Sequence, residues 1–166
     1  MNTRLRSIRD RKCLEGTSPA ALDRLASRSY AAAMSPEPRT PRGIVVTRTL
    51  AMPADTNPNG DIFGGWIMSQ MDIAGGILAK FTTKKRVVTV AVDAMHFICP
   101  VKVGDAVTCY GEVVRSGTTS LTLRIEVWAS HPAAASLEER ECVTEAEFVY
   151  VAVDEAGHPV RVKDGP

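Results

Sequence analysis

The chain has 166 residues, 45% of them hydrophobic and 23% charged, ordinary for a globular protein and enough for one domain with some chain to spare. Its formal charge of +1 hides a division: residues 1–42 carry nine Lys and Arg against four Asp and Glu, residues 43–166 eleven against fifteen. A mildly acidic body argues against a dedicated nucleic-acid-binding domain. No run approaches the roughly 18 apolar residues of a membrane-spanning helix.

Residues 1–42 read as a leader rich in Arg, Ser and Ala, with Pro36, Pro38 and Pro41 near its end. Ser18-Pro19 has the form of a helix N-cap followed by proline in the first helical position, and a short helix to about Ala33 would be marginal alone. In composition the leader resembles a transit peptide, without the apolar segment of a secretory signal. The expectation is a disordered or weakly helical tail, with a later start at Met34 left open.

The folded domain is placed at residues 43–162. Gly43 to Leu50 is β-branched and predicts a strand. Pro53 to Asp61 is polar and turn-rich and predicts a loop. Gly64 to about Phe81 predicts the one long helix, with Ile67, Met71, Ala74, Leu78 and Phe81 on one face. Trp66, Met68, Ile73 and Ile77 spread apolar character round most of the circumference, leaving Ser69, Gly76 and Lys80 as a narrow polar strip. Such a helix needs cover on several sides, more than one sheet offers, so another subunit is expected against it.

Four more strands follow, at 86–97, 106–115, 120–129 and 142–153. The third alternates cleanly, Leu121, Leu123, Ile125 and Val127 against Thr122, Arg124, Glu126 and Trp128. The connections between the first three are too short for parallel crossovers. The pattern predicts an α+β fold, an antiparallel meander of these four strands wrapped with the first around one helix. Cys13, Cys99, Cys109 and Cys142 form no CxxC pair and no metal-ligand spacing, and are read as reduced thiols of a cytoplasmic protein.

The sequence has no GxSxG, HExxH, Walker A or GxGxxG pattern. Among the histidines, His96 is expected to be packed within a strand, and His131 and His158 exposed in turns. Gly64-Gly65 falls in the first turn of the helix, where free N–H groups and the helix dipole suit a negative oxygen. An oxyanion hole and a plain tight turn are both consistent with two glycines. Asp72 favours function. It lies two turns into an apolar helix with no Lys or Arg three or four residues away, and a carboxylate buried there would be costly without a partner. Gly75 and Gly76 would clear space beside it for a ligand or a partner backbone. Asp61, Asn57 and Asn59 belong to the preceding loop, and Lys84-Lys85-Arg86 is a basic turn that suits solvent or a phosphate.

NPNGDIFGGWIMSQMDIAGGILA (57–79) followed by RVVTVAVDAMHFICPVKVGD (86–105) resembles the YciA-type acyl-CoA thioesterases of the hotdog superfamily. The resemblance runs over roughly residues 43–158 and excludes the leader. It implies a hotdog fold, with the central helix wrapped by a curved antiparallel sheet of about five strands. It also implies a homo-oligomer, a dimer or a hexamer built as a trimer of dimers, hydrolysing acyl-CoA to free CoA and a carboxylic acid. By the same resemblance Asp72 is the catalytic carboxylate, Asp61 helps to position substrate or water, and Gly64 and Gly65 receive the thioester carbonyl. Asn57, Arg86, Val87, Val88 and Thr89 are then substrate-binding, the last four toward the CoA nucleotide. No cofactor beyond the CoA of the substrate, no metal, no nucleic acid and no membrane is implied. Two other functions stand beside hydrolysis: a non-catalytic acyl-CoA-binding module or sensor, and a hydratase, which would want a histidine where Ile62-Phe63 stands.

Overall fold

The structure, a computed structural model, describes residues 39–162; the expectations for the leader lie outside the described residues. The described residues from Pro41 onward form one compact unit. Its elements are β1 (Ile44–Leu50), a 3-10 turn (Pro53–Asp55), α1 (Gly64–Thr83), β2 (Arg86–Phe97), β3 (Ala106–Ser116), β4 (Ser120–Ser130) and β5 (Glu141–Val153). The strands form one antiparallel sheet in the order β1-β3-β4-β5-β2, with α1 packed on one face.

This order corrects the expected meander. β3, β4 and β5 are consecutive neighbours, but β2 pairs with β5 at one edge and β1 takes the place beside β3. The segment from Ile98 to Asp105 is what makes that possible. Extended chain covers about 3.3 Å per residue, so eight residues can cross strands spaced about 4.8 Å apart. Hydrogen bonds fix it on the way. The Ile98 amide donates to Val143 O (2.8 Å), the Ile62 amide to Val101 O (3.0 Å) and the Ala51 amide to Asp105 O (3.0 Å). β5, the residue that follows β1 and the entrance to α1 are thus tied to one strap.

α1 buries Ile67, Met71, Ala74, Gly75, Ala79 and Thr83. Five of these six follow an i, i+4 row, which winds slowly around the helix axis. By the last turn the buried face has rotated away from Phe81, which is 68% exposed rather than in the core as expected. Lys84 ends the helix in the left-handed region (φ 57°), its amide donating to Lys80 O. The side of α1 away from the sheet exposes Met68, Ile73 and Ile77.

β4 alternates as predicted. Leu121, Leu123, Ile125 and Val127 are fully buried in the core shared with Met71 and Ala74. Its other face is not the solvated one that alternation suggests. Glu126 is only 1% exposed and Trp128 is buried with Tyr110 and Cys142. Trp128 Nε1 donates to Glu126 Oε2 (2.9 Å), Arg42 reaches the same carboxylate through its amide and its Nε, and Arg42 Nη2 donates to Glu145 Oε2 (3.0 Å). Burial pushes the Glu126 carboxyl up, but the hydrogen bonds from Trp128 and Arg42 outweigh it and hold the group below the usual carboxylate range. Cys109 and Cys142 are free thiols, as expected; Cys13 lies outside the described residues. One other expectation is corrected: His96 is exposed on β2 rather than packed.

A carboxyl depressed on folding contributes stability above its unfolded pKa, and the contribution is lost as pH falls through the folded value. Arg42→Ala is therefore expected to cost about 1–3 kcal/mol at neutral pH, read as a lower Tm. The gap from wild type should close as the pH is lowered through the glutamate range. A gap that stays constant with pH would assign the loss to packing instead.

Candidate active site

The site grows from one register. β2 and β5 pair so that Thr89 stands directly opposite Tyr150, and neighbours across antiparallel strands share a face. Both side chains rise toward α1 and meet Asp72. Thr89 Oγ1 donates to Asp72 Oδ1 (2.6 Å). The Tyr150 hydroxyl lies 3.1 Å from the Asp72 carbonyl oxygen and 3.2 Å from Asp72 Oδ1. No hydrogen bond reaches Asp72 Oδ2 among the described residues.

Tyr150 is 2% exposed, its ring stacked near Phe148. Burial first, and then the charge of Asp72, push its hydroxyl well above the ordinary phenol range, so it stays protonated and able to donate. Tyr150 carries no functional motif in the sequence. The signal was there: Phe148, Tyr150 and Ala152 repeat every second residue on an apolar strand face, and a buried phenol needs a polar partner.

Gly75 makes the contact possible. A Cβ there would stand 2.2 Å from the Tyr150 hydroxyl and 2.8 Å from Cζ. The space expected beside the carboxylate for a ligand is taken, at Gly75, by the chain's own tyrosine; a Cβ on Gly76 would meet nothing within 4 Å. In the single chain Asp72 is exposed, so the sheet of its own chain does not supply the cover expected for it. It projects from the flank of α1 between the sheet-facing Met71 and the exposed Ile73, where the sheet does not cover it.

The helix entrance is separate. The amides of Gly64 and Gly65 have no hydrogen-bond partner among the described residues, and Phe63 precedes them as N-cap without a side-chain cap. Asp61 forms an ion pair with Lys102. Asn57 serves the loop itself: its Oδ1 accepts from the amides of Asn59 (2.9 Å) and Asp61 (3.2 Å). At about 1.5 Å per residue, Gly65 and Asp72 lie roughly 10 Å apart along the helix axis. One chain therefore does not bring the carboxylate to its own glycine amides, nor to Asp61.

Of the residues expected to bind substrate, Thr89 joins Asp72. Arg86 is exposed, with Nη1 3.4 Å from Glu155 O, Val87 is half-buried, and Val88 is exposed near the start of β2. In the basic turn, Lys85 Nζ donates to Arg161 O. No cluster of three or more His, Cys, Asp or Glu suited to a metal ion occurs among the described residues. No helix among them is long and apolar enough to cross a membrane.

Residues 59–135 match the thioesterase superfamily. The chain is 59% identical over 120 residues to the acyl-CoA thioester hydrolase YciA of Salmonella typhimurium, covering 72% of this chain and 90% of that protein. The fold is similar to that of a hexameric thioesterase from Yersinia pestis (TM-score 0.71, 55% identity, 76% of this chain and all of that one). It is similar too to HI0827, a hexameric broad specificity acyl-coenzyme A thioesterase (TM-score 0.70, 52% identity, 76% and 85%).

The glycines give a graded expectation. Gly75→Ala drives a methyl into a buried ring and should lower stability by about 1–3 kcal/mol. Gly65→Ala meets only the exposed Phe63 ring, 2.4 Å away at Cε1, which can swing aside. Thermal unfolding of the two variants tests the contrast, and equal Tm values would contradict it.

Proposed function

The chain belongs to the YciA family of acyl-CoA thioester hydrolases, and on that premise we propose that it hydrolyses acyl-CoA to free CoA and a carboxylic acid as an assembly of several copies. The observation that carries the reading is the Asp72 carboxylate, tethered on one oxygen by two hydroxyls and open on the other, on a helix that begins with two unpartnered amides.

In this mechanism the thioester carbonyl oxygen rests against the Gly64 and Gly65 amides. Such donors contribute most as negative charge develops, about 3 kcal/mol each in measured cases. Asp72 takes a proton from water as the water oxygen bonds to the carbonyl carbon, or adds to that carbon itself. Collapse of the tetrahedral species breaks the C–S bond, and CoA leaves as a thiolate that takes up a proton; on the second route the acyl-aspartyl anhydride left behind is then split by water, which releases the carboxylic acid and restores the Asp72 carboxylate. Either route needs a charged carboxylate with one oxygen free.

Because Asp72 and the glycine amides of one chain stand apart, the site is completed between copies: Asp72 from one, Gly64, Gly65 and Asp61 from another. The uncovered flank of α1, with Ile73 51% exposed and Ile77 and Phe81 beside it, and the edge strand β2, with Val88, Val90 and Val92 exposed, supply the apolar surface for this union. The assembly is a hexamer, like the matched structures. The CoA moiety lies toward Arg86 and Val88.

Asp72→Asn is expected to retain fold and acyl-CoA binding while kcat falls roughly 10²–10⁴-fold, followed as release of CoA thiol from a panel of acyl-CoAs. Turnover like that of wild type would remove Asp72 from the mechanism. Ile77→Glu places a charge on the surface that joins the copies and should reduce both the mass in solution and the turnover. An active single chain would refute the shared site.

A further inference from the structure

We propose that Tyr150 is a positioning residue for the hydrolysis: its hydroxyl, with that of Thr89, pins Asp72 Oδ1 so that Oδ2 is the oxygen that works. The inference rests on the reading of Asp72 as the reactive carboxylate.

Three observations carry it. First, both hydroxyl contacts fall on the same carboxylate oxygen, Thr89 at 2.6 Å and Tyr150 at 3.2 Å. A carboxylate has two oxygens and about four acceptor directions; holding one oxygen twice fixes the plane of the group and leaves the other facing out. Second, Tyr150 also reaches the Asp72 backbone carbonyl at 3.1 Å. One hydroxyl group therefore touches both the helix backbone and the side chain of the same residue, which sets the side chain against its own helix. Third, the arrangement carries a structural cost that packing alone does not require. Gly75 stands three residues after Asp72, in the middle of a helix, where glycine is less stable than alanine by about 1 kcal/mol, and a Cβ there would overlap the Tyr150 hydroxyl. A phenylalanine at 150 would fill the core as well and would not reach the carboxylate.

The role differs from that of Thr89. Thr89 is exposed on β2 and short; Tyr150 is a rigid buried ring anchored in β5, and its raised titration keeps it a donor throughout the neutral range. A positioned carboxylate loses rate, not affinity, when its anchor goes, because the bound substrate still occupies the same surface while fewer encounters have the right geometry.

The test is Tyr150→Phe in the full chain, assayed by release of CoA thiol. The expected result is a fall in kcat of about 10-fold or more with KM, Tm and oligomer mass near those of wild type. In an Asp72→Asn background the same change should leave kcat where Asp72→Asn alone put it, since the group to be positioned is gone. Gly75→Ala keeps the hydroxyl but denies it its place, and should show the same loss of kcat at unchanged KM. Wild-type kcat in a folded Tyr150→Phe enzyme overturns the proposal, as does an equal fold-loss with and without Asp72, or a loss that appears only in KM. Wild-type turnover in Asp72→Asn is a different result, which defeats the reading of Asp72 itself.

Discussion

A helix with apolar side chains round most of its circumference cannot be satisfied by the sheet it lies on, and this constraint shapes the molecule. The sheet takes the row from Ile67 to Thr83. Ile73, Ile77 and Phe81 are left exposed, away from the row that the sheet takes. Exposed apolar surface of that kind marks a place where another surface can dock. Asp72 sits on the boundary between the two flanks, attached to the sheet through Tyr150 and Thr89 and open on the side that the sheet does not reach. Its position makes it both a product of the packing within one chain and a member of whatever forms between two.

The same boundary explains why a single chain looks unfinished as a catalyst. Donors for a developing oxyanion and the carboxylate that would activate water must converge on one carbonyl group within hydrogen-bond reach. Here they occupy the first turn and the third turn of one straight helix. No side-chain rotation closes a separation of roughly 10 Å along the axis. A second helix of the same sequence, laid alongside the uncovered flank in the opposite direction, brings the first turn of one near the third turn of the other. In the proposed assembly, covering the flank of the helix and completing the site are one event.

Much of this was legible in the residues, and the failures have physical causes. Element bounds were clear because hydrophobic period and turn chemistry are local; β2 was placed at 86–97 and is Arg86–Phe97. Strand order was not, because it depends on where the strap from Ile98 to Asp105 is bound, and those bonds run to β1, β5 and the helix entrance. The buried stripe was followed as far as Phe81 because a fixed face was assumed, while the packed row drifts around the axis. Asp72 stands out in sequence as a carboxylate among apolar neighbours, but neighbours in sequence do not say which flank the sheet covers, and the sheet of its own chain leaves it exposed. Tyr150 went unnoticed because its partner lies 78 residues away, and only the β2–β5 register puts it under Asp72. The part Asn57 plays within the chain is not legible in sequence: its carboxamide oxygen closes the loop that carries Asp61, alongside the binding role that the resemblance implies.

The paired glycines of the helix answer to the sheet on one side and to open space on the other. Gly75 and Gly76 both weaken α1 relative to alanine, and a helix held by propensity alone would select against them. They face different demands. At Gly75 the missing Cβ is replaced by the oxygen of Tyr150, so the helix exchanges local stability for a tertiary hydrogen bond to its own carbonyl and to Asp72. At Gly76 the space is open in the single chain, on the side where α1 has no sheet against it. A backbone bare at that point allows another backbone to approach more closely than any side chain would. One glycine thus serves the carboxylate from within the chain, and the other leaves open the place where the proposed shared site brings a neighbouring copy close.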